Sequence, residues 1–512
     1  MPRRFLHKHG PFVLLLLVLS PARLWLMTTL ELNEDEAYYW EWSRNLALSY
    51  YDQGPGVAFA MALGTSLLGH TEFGVRLVSF LMGIVTLCLG YGLVWRVSRS
   101  PSAAVVAALL LAFVPINFIS GLVMIHDSVM YFGWVGFVYG FCRYLETRHA
   151  GWLYACGFFL GIGMLAKHTM VLLVPPVFIL AILRPEERAL LRNPHFWLAS
   201  ALAVAMALPI VVWNVQHEWA GLQAILHLPS ANDHGRPFYQ TLGDFLGGQL
   251  LVLNPFIAIP MAMVVWRALR FGRGDARAQF LALTTAFMFA FFFVMSLGKM
   301  VQANWPVCAY FGGLLLLGID LGRRWEAGGR RLAWASIVST VMMLVPVVFP
   351  STLALPARAL GLALHPGAIM TNRLYGGREI AEQLDLVRQQ HPGIQVCGNR
   401  YQETALLAFY LPDHPRTFSL NVEARPNQYD FWQPPEAHLG KDFILVCLTH
   451  DEPPSTITNL FQSWEALPPG TVENYGTTAK KYRFFLMRGF LGREQPSTDG
   501  ASHRGLRGGE VD

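Results

Sequence analysis

The chain has 512 residues, of which 53% are hydrophobic and 14% charged, with a mean hydropathy of +0.36. Soluble domains carry about 25% charged residues, so the composition excludes an ordinary soluble enzyme. The net charge of +5 sits in short basic clusters between apolar runs, which excludes nucleic acid as a partner.

Taken in chain order, the first apolar run, 11–30, follows the basic start "MPRRFLHKHG". A signal peptide begins similarly, but this run is long for a signal core and no small-x-small cleavage pattern follows it. A retained first helix is expected. Next comes "ELNEDEAYYWEWSRNLALSYYDQGPGVAF" (31–59), with four carboxylates in its first six residues and then a run of Tyr and Trp. It reads as an interfacial helix opening at Asp35–Glu36. The segment 55–69, "PGVAFAMALGTSLLG", falls short of the roughly 20 apolar residues that a span needs, so an interfacial or re-entrant helix is expected. Spans follow at 72–95, 102–118, 127–142, 151–166, 168–183, 196–214, 246–266, 278–297, 305–321 and 332–350. With the first, that makes about eleven.

Basic residues orient these spans. With the N-terminus cytoplasmic, the cytoplasmic segments up to 331 hold about eighteen Arg and Lys, and the outer loops only Arg44, Lys167, Arg236 and Lys299. Counting 55–69 as a span would reverse that bias. The acidic cluster therefore belongs to the outer face, and an odd number of spans puts the C-terminal part there too. From about 351 the hydropathy falls. "GGREIAEQLDLVRQQHPG" reads as an amphipathic helix with a Pro-Gly stop. "IQVCG", "DFILVCL" and "KKYRFFLMRGF" read as strands, with "YQETALLAFYL" helical between the first two. The expected organisation is a transmembrane domain over 1–350, a small outer α/β domain over 351–490 and a disordered polar tail over 491–512. No internal repeat is evident. Cys397 and Cys447 fall on two of the strands, either as a disulfide or as two buried thiols. No Cys/His spacing matches a zinc site.

Several polar groups stand at the expected outer ends of helices: Asp35 and Glu36; His126 and Asp127; Lys167 with His168; and Lys299, Gln302 and Asn304. A charge at the bilayer centre costs about 2.5–3.5 kcal/mol on insertion scales, so such residues face water or each other. An outward-opening polar cavity accounts for all of them. Singly, the lysines also fit snorkelling, Asp127 a helix cap, and Tyr38, Tyr39 and the tryptophans an aromatic belt. The loop 216–243 adds His217, Glu218, His227, Asp233 and His234, irregularly spaced and more like a solvated loop than a metal site.

The stretches "DEAYYWEWSRNLALSYYDQGPGVAF", "HDSVMYFGW", "LAKHTMVLL" and "GKMVQANWPVCAYFGGLLLLG" together resemble the bacterial glycosyltransferase family 39 group of the GT-C superfamily. That group includes protein O-mannosyltransferases and the aminoarabinose lipid A transferase. The resemblance covers about 10–330. It implies a multi-pass enzyme of the bacterial inner membrane, with its C-terminal domain periplasmic. The implied donor is a hexose or pentose on a polyprenyl phosphate, and the implied acceptor a lipid, glycan or protein. It places the catalytic carboxylate at Asp35, with Glu36 beside it and Asp127 as the acid of the second outer loop. A carboxylate there can take the acceptor hydroxyl proton, and cations can stabilise the departing phosphate. Lys167, Lys299 and Arg44 are the expected cations. His126, Tyr38, Tyr39 and Asn304 complete the expected substrate-facing set. Attack opposite the phosphate inverts the anomeric centre. No cofactor is called for, and a divalent cation is left open. Lipid A-modifying members carry a basic residue after the extended segment of the first loop, where this chain has Gln53 in "YYDQGPG". A transporter or lipid flippase with an outward cavity is the alternative class, although its charges would gather near the midplane with repeat symmetry.

Overall fold

The computed structural model describes residues 2–227, 236–271, 274–362, 364–422, 426–448 and 452–492. The chain divides into two compact units, Met1–Gly377 with Glu473–Ala479, and Arg378–Val472 with Lys480–Asp512. The sequence boundary at 350 marks the fall in hydropathy, whereas the chain contacts divide at Gly377.

The first unit is helical. It opens with α1 (Pro2–Thr29), α2 (Glu34–Arg44), α3 (Gly56–Leu68), α4 (Glu72–Ser98), α5 (Pro101–Phe113) and α6 (Pro115–Ser120). It continues through α7 (His126–Thr147), α8 (Gly151–Ala166), α9 (Val174–Leu183), α10 (Pro194–Gln216), α11 (Ala220–His227) and α12 (Phe238–Leu253). The last helices of the bundle are α13 (Pro255–Phe271), α14 (Ala276–Ser296), α15 (Val307–Arg323) and α16 (Arg330–Val348), followed by the short α17 (Ser351–Ala359). Helices α7, α8 and α10 pack face to face through glycine. A Cβ on Gly133 would lie 2.7 Å from the Phe159 carbonyl oxygen, and one on Gly157 would lie 2.2 Å from that of Ala199. Small residues at such crossings let helices associate where lipid supplies no hydrophobic drive.

Five helices among the described residues are long and apolar enough to cross a membrane: Lys8–Thr29, Glu72–Ser98, Pro194–Gln216, Ala276–Ser296 and Trp325–Val348. Three of the other expected spans meet breaks in the helical ladder, while 127–142, 151–166 and 305–321 correspond to the unbroken α7, α8 and α15. The span 102–118 is interrupted before Pro115, where α5 ends and α6 begins. The span 168–183 opens with a 3-10 turn, His168–Leu173, ahead of Pro175 and Pro176. The expected single helix over 246–266 is two helices, α12 and α13, bent by 103° at Asn254–Pro255. Proline removes a donor and its ring clashes with the preceding turn, which is why apolar length alone misjudges these segments. Helix α3 has 13 residues, a rise of about 20 Å against a hydrocarbon core of about 30 Å.

The second unit carries most of a six-stranded sheet in the order β2-β1-β3-β6-β4, with β5 paired to β6. The strands are β1 (Gln395–Gly398), β2 (Phe418–Ser419), β3 (Phe443–Cys447), β4 (Phe461–Ala466), β5 (Gly470–Asn474) and β6 (Thr477–Phe490). Strand β1 runs parallel to β2 and β3, and β6 antiparallel to β3 and β4. The three strands expected from sequence are β1, β3 and β6, and the two expected helices are α18 (Gly377–Gln390) and α19 (Tyr401–Tyr410). Every residue of β3 is buried, because Ile444 and Val446 pack under α18 and α19 while Phe443, Leu445 and Cys447 pack with Phe461 and Phe485 on the other face. A strand covered on both faces reads as a continuous apolar run. Cys397 and Cys447 are both buried free thiols on that second face. Burial pushes both upward, Cys447 to about 12. The tail from 493, expected to be disordered, lies outside the described residues, as do Asp233 and His234.

Candidate active site

The segment after α1 folds because its acids have local work. Asn33 caps α2, accepting from the backbone N–H of Asp35, and Glu36 closes a capping box by accepting from the N–H of Asn33 at 3.0 Å. The pattern satisfies donors that a helix start otherwise leaves orphaned. Asp35 is left on the exposed side of that first turn, while Glu36 is completely buried.

Glu36 is the hub of a larger joint. Its Oε1 accepts from Arg76 Nε and from the Met124 N–H, both at 2.9 Å, and its Oε2 accepts from Arg76 Nη2 at 2.6 Å. Arg76 itself is 1% exposed. Its remaining N–H groups go to the carbonyls of Met27, Leu30 and Glu31 at 3.1, 2.7 and 2.8 Å. All five guanidinium donors are therefore used. Arg76 and Glu36 together tie the end of α1, the start of α2 and the approach to α7 to helix α4. Both Glu36 oxygens are occupied, so no lone pair remains for a substrate hydroxyl.

The approach to α7 brings the next group in. His126 Nδ1 and the Tyr39 hydroxyl lie 2.8 Å apart, and His126 Nε2 is 3.6 Å from Asp127 Oδ2. Asp127 accepts from Lys167 Nζ at 2.6 Å, with 6% and 12% of the two side chains exposed. Lys167 follows directly on α8. The adjoining Leu165 is held against the first loop, since a Cβ on Gly54 would sit 2.2 Å from its carbonyl oxygen. In the same loop the Tyr38 hydroxyl donates to Asp52 Oδ2 at 2.8 Å. Cys308, at the start of α15, lies within electrostatic range of both Asp127 and Lys167.

Direct contacts thus join Tyr39, His126, Asp127 and Lys167 into one assembly, with Glu36 bonded to the Met124 N–H two residues before His126 and the exposed Asp35 four residues before Tyr39 on α2. The other expected residues are placed differently. Arg44 is paired with Glu41 at 2.7 Å and lies over the Trp40 ring at 4.6 Å. Lys299, in the turn after α14, is half-buried and makes no ion pair among the described residues. Asn304 lies in the turn before α15, where its carbonyl accepts from the Val307 N–H at 3.2 Å. Among the described residues no cluster of three or more His, Cys, Asp and Glu could hold a metal ion.

A family model described as dolichyl-phosphate-mannose-protein mannosyltransferase matches residues 52–213. The solved ArnT of Cupriavidus metallidurans bound to undecaprenyl phosphate superposes with a TM-score of 0.62 at 17% identity, covering 95% of this chain and 100% of that one. The chain shares the fold of ArnT. The apo form of the same ArnT gives a TM-score of 0.59 at 16% identity over 93% of this chain and 96% of that one. Among curated proteins, the lipid A galacturonosyltransferase RgtD of Rhizobium johnstonii is 25% identical over 392 residues, 75% of this chain and 80% of that protein.

Sequence reasoning missed Arg76 and Asp52. Arg76 was the more legible of the two. A lone arginine inside an otherwise apolar span is costly unless its partners are specific. Asp52 stood beside the Gln53 that drew attention, and its partner Tyr38 lies 14 residues earlier, a pairing that no periodicity signals.

Proposed function

We propose that the chain is an inner-membrane glycosyltransferase that moves a sugar from a polyprenyl-phosphate donor to an acceptor hydroxyl at the periplasmic face. The observation that carries this reading is the assembly of Tyr39, His126, Asp127 and Lys167, with an exposed Asp35 four residues before Tyr39 on α2, in a chain that shares the fold of ArnT, which is solved bound to undecaprenyl phosphate. In the proposed reaction the acceptor oxygen attacks the anomeric carbon as Asp35 takes its proton. The bond from that carbon to the phosphate oxygen breaks, polyprenyl phosphate leaves, and the centre inverts. Lys167 and Lys299 face the phosphate charge as it develops. Asp127 holds Lys167 in place, Glu36 holds the loop that presents Asp35, and Tyr38, Tyr39, His126 and Asn304 contact the sugars.

The relative RgtD acts on lipid A, and a lipid A-type glycolipid is the acceptor that this reading favours. About eleven membrane crossings, with the N-terminus cytoplasmic, follow from the positive-inside asymmetry; α5, α7, α8, α9, the bent α12–α13 pair and α15 complete the long spans. Reporter fusions after Ser351 should report a periplasmic location and fusions after Arg277 a cytoplasmic one. The function itself is tested by mass spectrometry of lipid A and other envelope glycans from cells with and without the gene. Loss of one hexose, uronic acid or pentose from a glycolipid supports the reading. An unchanged glycan profile, together with no sugar transfer by the purified protein from any polyprenyl-phosphate donor, would refute it.

A further inference from the structure

The site described above gives roles to Asp35 and Glu36 and none to Glu31, the first acid of the same segment. Glu31 is nevertheless tied through both its backbone and its side chain. Its carbonyl accepts from Arg76 Nη2 at 2.8 Å, inside the joint that holds the start of α2. Its carboxylate reaches across 346 residues of sequence, where Oε2 accepts from the Gly377 N–H at 2.6 Å. Gly377 opens α18 and is the last residue before the chain leaves the first unit. A helix leaves its first N–H groups without an intrahelical acceptor, and a carboxylate accepts from such a donor more strongly than a neutral oxygen does.

The backbone that receives this bond is itself pinned. Gly376, just before it, has φ +92, a conformation that a side chain resists. Upstream, the 3-10 turn Met370–Leu374 carries the buried Asn372. Its Nδ2 donates to the Pro366 carbonyl at 3.0 Å and to Thr477 Oγ1 at 3.3 Å, and its Oδ1 accepts from Asn474 Nδ2 at 2.9 Å. Asn474 and Thr477 lie in Glu473–Ala479, the turn between β5 and β6, which the chain contacts assign to the first unit. The segment 366–377 is therefore held at one end by a buried amide and at the other by Glu31. The six residues 31–36 in turn carry this tie, the Asn33 cap and the Glu36 joint, and they present Asp35 between them.

We propose that Glu31 is a positioning residue: by bonding the pinned backbone at Gly377 it fixes the segment from which Asp35 is presented. Its role in turnover rests on Asp35 acting as the proposed base, whereas the tie itself does not. The test uses the full purified chain in detergent. Glu31→Ala removes the acceptor, and Glu31→Gln keeps an oxygen that can accept the same N–H. Amide hydrogen exchange over 31–40 and 372–380, read by mass spectrometry, reports the tie without any substrate. Glu31→Ala should exchange about tenfold faster in both stretches, the size expected for one lost hydrogen bond to a charged group, and Glu31→Gln should stay close to wild type. Single-turnover transfer at saturating donor should fall by about 10–100-fold in Glu31→Ala, the cost of a misplaced reacting group, and recover in Glu31→Gln, with the donor Kd unchanged in both. Should Glu31→Ala fail to fold, Asn372→Ala removes the hold at the other end of the segment and should also speed exchange over 31–40. Wild-type exchange over 31–40 in the alanine variants would overturn the tie. Faster exchange with wild-type turnover would overturn the positioning role. A wild type that transfers no sugar would refute the proposed function instead and leave the exchange result to decide the tie.

Discussion

Two carboxylate–cation pairs meet at the same end of the helical bundle, and they are built for different ends. Glu36 and Arg76 are wholly buried, share two short hydrogen bonds and have every remaining donor and acceptor taken by backbone or by each other. Asp127 and Lys167 share one contact at 2.6 Å, keep part of their surface, and sit beside a histidine that itself bonds a tyrosine. The first pair has no capacity left over and can only hold the loop. The second retains lysine donors and a carboxylate edge that an incoming phosphate or sugar can use. Burial and saturation, rather than residue type, separate framework from chemistry here.

The comparison breaks most visibly at the framework. Glu36→Gln should cost the most, because it leaves the Arg76 charge buried without its partner, a loss of about 3–5 kcal/mol. The expected outcome is a sharp fall in folded protein recovered by size-exclusion chromatography in detergent, and a lowered unfolding temperature. A wild-type melting profile would remove the proposed joint. At the chemical pair the protein should survive and the activity suffer. Lys167→Gln should lower transfer by about 10²–10³, the effect of losing one preorganised donor to a developing negative charge. Lys167→Arg should keep part of the rate, since charge survives although geometry does not. Lys299→Gln should weaken donor binding as well, read by titration with a polyprenyl phosphate, and equal binding in the variant would reduce Lys299 to a snorkelling lysine.

Smaller effects sharpen the contrast. Arg44 is committed to Glu41 and Trp40, so Arg44→Gln should leave donor affinity close to wild type; a tenfold loss would return Arg44 to the phosphate site. In the second unit, Arg388 donates two hydrogen bonds to Asp413. That bonding holds the Asp413 carboxyl below its usual range. A depressed folded-state value contributes stability above the ordinary carboxylate range and loses it as pH falls through the folded value. Asp413→Asn should therefore abolish a small acid-side dependence. The pair is largely solvated, so its effect at neutral pH belongs at the low end of the roughly 0–1 kcal/mol seen for exposed pairs.

The strands and helices of the second unit were plain in the sequence because their patterns are local: continuous apolar runs for β1, β3 and β6, and a 3.6 period for α18. Strands β2, β4 and β5 were missed. β2 has two residues, and β4 exposes most of its side chains, so neither leaves an alternating pattern to read. In the bundle, apolar length overstated continuity at some prolines, most clearly at the 103° break between α12 and α13, whereas α1, α10 and α16 run through theirs. At the candidate site the acids and lysines stood out because charge is rare in this chain. What could not be read was their partnership. The contacts between Glu36, Arg76 and Met124 span 40 and 88 residues, and only the fold distinguishes the saturated Glu36 from the exposed Asp35 beside it.

That distinction is the most direct point of attack. Asp35→Asn removes the proposed proton acceptor with almost no change in volume and keeps the backbone N–H that Asn33 receives. Single-turnover transfer by the purified protein, with donor binding and unfolding temperature measured on the same preparation, separates chemistry from folding. The account predicts a fall in turnover of about 10²–10⁴, the usual range for a lost general base, with donor binding and stability unchanged. Turnover near the wild-type rate in folded, donor-saturated Asp35→Asn protein would contradict it and pass the proton to Asp127 or Asp52.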